Sequence, residues 1–278
     1  GAQLSDCWVG RADIVREGLP TLQWYRGARL KGVERYGKSV ALGFQNNGEL
    51  RYVVAELGMT GLLLFRTTQT KHPQHVHARM SFTGGNESEL RYWNPRRFGR
   101  LSLFDRAGLD RYRTRRFGID PLTVPRDEFV HLLQGRRGRL KPLLMHQQII
   151  AGIGNIYANE ILFRARLHPN REVSRLRGAT IIKLYDTMQT VLREAISCGG
   201  SSVKDFFAPD GTEGRYKQHH LVYGKEGQPC PNRCGRIIRR LQSERSSFYC
   251  PVCQSNRLPG KGKNISDEYD DCHTVSKT

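Results

Sequence analysis

Near one end of the chain, "CPNRCGRIIRRLQSERSSFYCPVC" runs from Cys230 to Cys253 and sets two close cysteine pairs fifteen residues apart. The spacing, Cys230-x3-Cys234 and then Cys250-x2-Cys253, is that of a zinc ribbon, in which two facing turns deliver four thiolates to one tetrahedral ion. A hairpin this short has no core of its own, so four merely structural cysteines would leave it without support. One Zn2+ is expected, and its role is structural, because four thiolates leave no open position for a reacting water. The knuckle therefore holds something, and Arg236, Arg239, Arg240 and Arg245 make phosphate the group to hold.

The charge balance points the same way. Lys and Arg total 45 against 26 Asp and Glu, a formal +19 and a pI near 10.0, and a chain so positive suits a polyanion, of which nucleic acid is the commonest. A merely soluble basic protein, or one drawn to an anionic membrane, shares that balance. No apolar run approaches the ~20 residues of a membrane span. The densest, "GLLLF" from Gly61, is strand-sized, and the first residues lack the layout of a signal peptide. Cys7, Cys198 and Cys272 lie scattered and form no secreted disulfide framework, so a reducing, intracellular compartment (cytoplasm and nucleoid, or nucleus or organelle) is expected.

Up to about residue 115 the pattern reads as β. "YGKSVALGF" and "ELRYVVAELG" flank "QNNG", a hairpin with Asn and Gly where positive φ is needed. "HVHARMSF" and "ELRYWNPRRFGRLSLF" flank "TGGNES", a second hairpin with a looser turn. Helical patterns follow: "PRDEFVHLLQG", opened by Pro125 and closed at Gly135, then "LKPLLMHQQII" and "NIYANEILFRARL" on either side of "AGIG". Ile181, Leu184, Tyr185, Met188, Val191, Leu192 and Ala195 trace the core-facing stripe of a long helix. The polar end from residue 257 lacks periodicity and reads as a disordered tail.

Gly152 and Gly154 precede Asn155, which reads as a helix N-cap, and free N–H groups at a helix start attract phosphate. Gly-x-Gly between helices is by itself more often a tight turn. Together with the knuckle, however, "LKPLLMHQQIIAGIGNIYANEILFRARLHPNR" resembles the helix-two-turns-helix of the formamidopyrimidine-DNA glycosylase and endonuclease VIII family, closest to its formamidopyrimidine branch. "YGKSV", "ELGMTG", "NPRRFG", "GGSSVKDFFAPDG" and "VYGKEGQPC" extend the likeness, in order, to about residue 256. The resemblance implies an α+β fold with an N-terminal β-sandwich (1–115), a linker (116–125), a helix-two-turns-helix domain (126–222) and the zinc finger (223–256). It also implies a monomer acting on damaged double-stranded DNA, with no membrane.

The family removes oxidised bases from duplex DNA, so the base leaves the stack and the gap is filled. By resemblance, Met59 and Arg96 take the vacated space and Phe98 wedges between neighbouring bases, with Arg97 beside them. Ordinary core packing is the competing reading for Met59 and Phe98. Lys38 matches a lysine that contacts phosphate near the lesion and assists strand cleavage. Asn155, Arg245 and Arg137 match phosphate-gripping positions, and Arg245 also assists the second elimination. His72 and His75 lie near a DNA-contacting histidine of the family, with a solvated loop histidine equally compatible. "SSVKDFFAPDGTEGRY" resembles the lid over the flipped base.

In the family the reaction starts at an N-terminal Pro, whose amine forms a Schiff base with the sugar, and a following Glu. This chain opens "GAQLSDCWVGRADIV", and "LSDCWVGRADIV" resembles the segment after the family's first helix. Truncation of the sequence, a binding-only relative, or a substitute amine (Gly1 or Lys38) would each account for this. The expected function is excision of oxidised purines (8-oxoguanine, formamidopyrimidines) followed by β,δ-elimination. The alternatives are a catalytically inactive lesion- or abasic-site-binding relative and a zinc-ribbon RNA-binding module.

Overall fold

The computed structural model describes residues 1–58, 60–69, 72–202, 208–242 and 245–256. The chain divides into two compact units: Gly1–Asp120 with Gln147–Gly152 and Ala195–Gln218, and Pro121–His146 with Ile153–Glu194 and the chain from His219 onward.

The first unit is built on β1 (Gln3–Val9), β2 (Val15–Glu17), β3 (Arg29–Tyr36), β4 (Ser39–Asn46), β5 (Glu49–Glu56), β6 (Leu62–Phe65), β7 (Val76–Thr83), β8 (Glu89–Trp93) and β9 (Arg100–Asp105). They form one ladder in the order β2-β9-β5-β4-β3-β1-β7-β8-β6. The ladder is thin at its centre, where β1 meets β3 through the single pair Gln3↔Arg29. It curls there, because residues far apart in strand order share a core. Leu63 of β6 and Ala78 of β7 cluster with Ala55 of β5 and Leu101 of β9, and Leu4 and Met80 cluster with Phe44, Val53 and Leu103. The expected β-sandwich is thus one continuous sheet folded into two facing layers. The β4–β5 hairpin turns at Asn47 (φ 46) and Gly48 (φ 83), the positive-φ pair that "QNNG" specifies.

The stretch to 115 is not all strand. Residues Arg106–Arg116 form helix α1, capped by Asp105, whose carboxylate accepts from the Gly108 amide at 2.6 Å. Only Gly108, Leu109 and Tyr112 of this helix are buried, so arginines cover most of it and hide its apolar period.

In the second unit, α2 (Arg126–Leu133) follows Pro125 and is ended by Gly135 (φ 73). The reading of "LKPLLMHQQII" as one helix is corrected: α3 spans Leu140–Met145 only. The backbone of the next residues is taken up elsewhere, as Gln147 accepts from the Gly118 amide (2.9 Å) and the Ala151 amide donates to Ile119 (2.8 Å). Helix α4 (Asn155–Arg164) starts one residue earlier than expected at its cap. Gly154 is the N-cap and Asn155 the first helical residue. Helix α5 (Gly178–Ser197) buries Ile181, Leu184, Met188, Val191, Leu192 and Ala195, as its stripe requires. The ribbon hairpin pairs β10 (Arg239–Leu241) with β11 (Ser247–Tyr249). Among the described residues no helix is long and apolar enough to cross a membrane.

Candidate metal centre and nucleic-acid interface

The four ribbon cysteines converge. Their sulfur atoms all lie within 4.8 Å of one another, with Cys230–Cys253 at 3.8 Å and Cys234–Cys250 at 3.4 Å. A tetrahedral ion with Zn–S bonds near 2.3 Å needs sulfurs about 3.8 Å apart, so the cluster fits one zinc. Burial pushes the Cys253 thiol up to about 11 and raises Cys230 as well. A divalent cation is what lets such a site exist as thiolates. Cys230 and Cys250 also pack with Phe163, Val222 and Ile238.

Four buried polar side chains bind the ribbon to the helices. Glu160, 0% exposed on α4, accepts three backbone amides: Leu221 at 2.8 Å, Val222 at 3.1 Å and Tyr223 at 2.8 Å. Immediately before it on the same helix, Asn159 accepts the Phe248 amide at 2.7 Å. Lys141 of α3, 3% exposed, donates to the Ser246 carbonyl and the Ser247 hydroxyl, both at 2.8 Å. Its burial, and secondarily the charge of Arg245, depress its pKa to about 8. Gln254 accepts the Cys250 amide (2.9 Å) and donates to Leu167 (2.8 Å). None of the four was singled out from sequence. For Lys141, Asn159 and Glu160 the signal was a polar residue inside an apolar helical run ("LKPLL", "ANEIL"), which burial makes sense of only when a partner segment is present; Gln254 has no such signal.

In the sheet unit the 94–99 turn carries three sequence-identified residues together. Phe98 is 54% exposed, and the Arg96 guanidinium stands 4.6 Å from the centre of its ring. Arg97 takes a left-handed backbone (φ 51) and pairs with Asp13 at 3.2 Å. An aromatic exposed at a turn is not core, so the packing alternative for Phe98 is set aside. Beneath the turn, Asn94 is fully buried. Its amide donates to the His75 carbonyl (2.9 Å), its carbonyl lies 3.0 Å from His77 Nε2, and its Nδ2 donates to the Tyr92 hydroxyl (2.9 Å). Burial lowers the His77 pKa and raises that of Tyr92.

Of the other sequence-identified residues, Lys38 is exposed in the turn joining β3 to β4. His72 is exposed, with its carbonyl accepting from Trp93 Nε1 at 2.9 Å, and His75 packs edge-on to the Trp93 ring at 6.1 Å. Arg137 and Arg245 are exposed in the second unit, the latter beside the Lys141 anchor. Asn155 opens α4, where its Oδ1 accepts from Asn159 at 3.3 Å. Met59 lies outside the described residues, as do residues 203–207 of the expected lid and the tail from 257.

The helical unit thus carries a four-cysteine ribbon shaped for one metal ion, and the sheet unit holds out an aromatic at a turn. Family models match along the chain: formamidopyrimidine-DNA glycosylase N-terminal domain over residues 1–101, formamidopyrimidine-DNA glycosylase H2TH domain over 117–207, and the zinc finger found in FPG and IleRS over 227–256. The formamidopyrimidine-DNA glycosylase of Solibacter usitatus is 38% identical over 244 residues, 87% of this chain and 88% of that protein. That of Gluconobacter oxydans is 39% identical over 260 residues, 88% and 92% of the two chains. Among solved structures, a Lactococcus lactis Fpg mutant in complex with a Fapy-dG-containing DNA superposes with a TM-score of 0.81 at 28% identity, covering 92% of this chain and 93% of that one. The MutM (Fpg) protein of Thermus thermophilus superposes with 0.79 at 35% identity, covering 93% of each. The chain belongs to the formamidopyrimidine-DNA glycosylase family of base-excision-repair enzymes, and its zinc finger is built for one structural zinc.

Proposed function

We propose that this protein is a DNA glycosylase and AP lyase acting on oxidised purines in duplex DNA. The observation that carries the reading is the exposed Phe98–Arg96 pair, held on a turn whose base is fully buried. A flipped base leaves a hole, and an aromatic wedge with a multidonor cation beside it can occupy that hole and pair with the orphaned base. Met59 completes the filling. Lys38, Arg137 and Arg245 neutralise phosphates around the lesion, Asn155 hydrogen-bonds to one, and together they fix the register without reading sequence.

The chemistry is cleavage of the N-glycosidic bond by an amine that becomes a Schiff base with the sugar. Elimination then breaks the sugar–phosphate bonds on both sides, with Lys38 and Arg245 assisting. The protein acts as a monomer, inside the cell where DNA is. The zinc ribbon takes no part in bond making; it aims Arg245.

Borohydride trapping on an 8-oxoguanine:C duplex, with an abasic duplex alongside, tests this. A covalent adduct and released base are expected, and peptide mapping of the adduct names the amine. Retention of the abasic duplex with no adduct would select a lesion-binding protein instead, and preference for single-stranded RNA would overturn the DNA reading altogether.

A further inference from the structure

The 94–99 turn is tied to a second loop by one hydroxyl. Tyr92, buried at the end of β8, accepts from Asn94 Nδ2 at 2.9 Å and donates to the Glu56 carbonyl at 2.7 Å. Glu56 is the last residue of β5 and leads directly into Leu57 and Gly58, and the Leu57 carbonyl accepts the Gly61 amide at 2.7 Å. The two loops also touch through glycines. A Cβ on Gly58 would stand 2.7 Å from the Gly99 amide nitrogen, and one on Gly99 would stand 2.0 Å from the Glu56 carbonyl oxygen and 2.4 Å from the Tyr92 hydroxyl. Such approaches require glycine at both places.

Glu56 is itself held in place. Its carboxylate receives Arg16 at 2.5 Å, Arg116 at 3.1 Å and the Tyr112 hydroxyl at 3.2 Å. The Tyr112 hydroxyl in turn lies 3.0 Å from Ser39, the cross-strand partner of Glu56 and the neighbour of Lys38. The Asn94 Oδ1 atom is buried with no hydrogen-bond partner. An asparagine kept there despite an unmet acceptor points to a demand on its other groups, which are the ones that hold the turn.

We propose that the Tyr92 hydroxyl is a positioning group, shared by the end of β5 (Glu56–Gly58) and the 94–99 loop, that sets where Phe98 and Arg96 enter the DNA stack. The proposal rests on the function proposed above. Tyr92 touches no DNA; it acts through the turn. Holding both loops to one buried hydroxyl fixes the wedge before DNA arrives, so the ordering is not required during base flipping.

Tyr92→Phe removes the oxygen and leaves the buried ring. The test uses full-length protein and an abasic duplex with 2-aminopurine next to the lesion, read by fluorescence and by affinity, neither of which needs catalysis. Wild type is expected to unstack the probe and to prefer abasic over intact duplex. Phe98→Ala should lose the signal and roughly tenfold in affinity, the order of one base–aromatic stack. Y92F should lose most of the signal and several-fold in affinity, while F98A/Y92F should match F98A alone. Asn94→Ser, which withdraws the amide from the same hydroxyl, should behave like Y92F.

A Y92F protein that keeps the full signal while F98A loses it would overturn the proposal and leave the function standing. Losses that add in the double variant would also overturn it, since the hydroxyl would then act elsewhere. A wild type that does not discriminate abasic from intact duplex would sink the function reading and this inference with it.

Discussion

The sheet unit and the ribbon hold themselves together by opposite means. The sheet has an apolar interior, with Tyr25 and Phe44 fully buried and edge-to-face at 5.7 Å, and clusters that join strands from both layers. The ribbon has three-residue strands, thiolates where a core would be, and buried polar side chains of the helices as its anchors. Burial of apolar area is non-directional and tolerates small errors. A metal and a few buried hydrogen bonds are directional, and they fail all at once when a partner is missing. The proposed function puts a DNA-directed group on each unit in keeping with its means: the Phe98 wedge on the sheet and Arg245 on the cysteine hairpin.

All three tryptophans, Trp8, Trp24 and Trp93, belong to the sheet unit, so their emission reports that unit alone, while released zinc reports the ribbon. The largest expected effect is from metal removal. Structural zinc contributes about 10–16 kcal/mol in ribbon-sized peptides. Chelation, or Cys250→Ser, should therefore unfold the ribbon and abolish abasic-duplex binding while tryptophan emission is unchanged. A shifted emission would mean that the two units do not fold independently.

Next come matched substitutions, one in each unit. Phe44→Ala opens a cavity in the sheet and should cost roughly 3–5 kcal/mol, seen as a lower urea midpoint of tryptophan emission with normal zinc retention. Glu160→Ala orphans three amides at about 1–3 kcal/mol each, and should release zinc early without moving the tryptophan midpoint. Crossed results would mean that the two units are not held together by different means.

Alkaline pH separates the units again. Folded Lys141 loses its proton near pH 8, whereas an unfolded lysine keeps it to about 10.4. In that window the unfolded chain binds more protons, so stability of the helical unit rises with pH, by up to roughly 3 kcal/mol. The buried tyrosines act in reverse. Burial raises Tyr25 and Tyr92, and pushes Tyr112 up to about 12, so above pH 10 the unfolded chain loses protons first and the sheet unit weakens. Urea midpoints at pH 7, 9 and 11 check both signs, and Lys141→Met should flatten only the first.

What was legible in the sequence follows the same division. The cysteine spacing, the "QNNG" turn and the α5 stripe were readable because each states its geometry within a few residues. Helix α1 was hidden because arginines cover an apolar face of only a few residues. The end of α3 was hidden because the backbone of 147–151 is claimed by residues 118 and 119, a partner nearly thirty positions away that no local pattern announces. Glu160 and Lys141 were visible as misfits in apolar runs, but their partners, Leu221 to Tyr223 and Ser246 with Ser247, come from the far end of the chain.

The smallest expected effect separates two arginines of the same unit. Arg137 is exposed in the loop between α2 and α3, while Arg245 sits on the ribbon beside the Lys141 anchor. If Arg137 only neutralises a phosphate, Arg137→Ala should weaken intact and abasic duplex alike, by a few-fold, and reduce the slope of log affinity against log salt by about 1. Arg245→Ala should reduce the slope by the same amount but also narrow the preference for abasic over intact duplex, because the ribbon fixes where that charge points. Titrations of both variants at four salt concentrations decide it. A change in lesion preference in R137A would place that loop at the lesion and remove the contrast between a cation on an exposed loop and one on the cysteine ribbon.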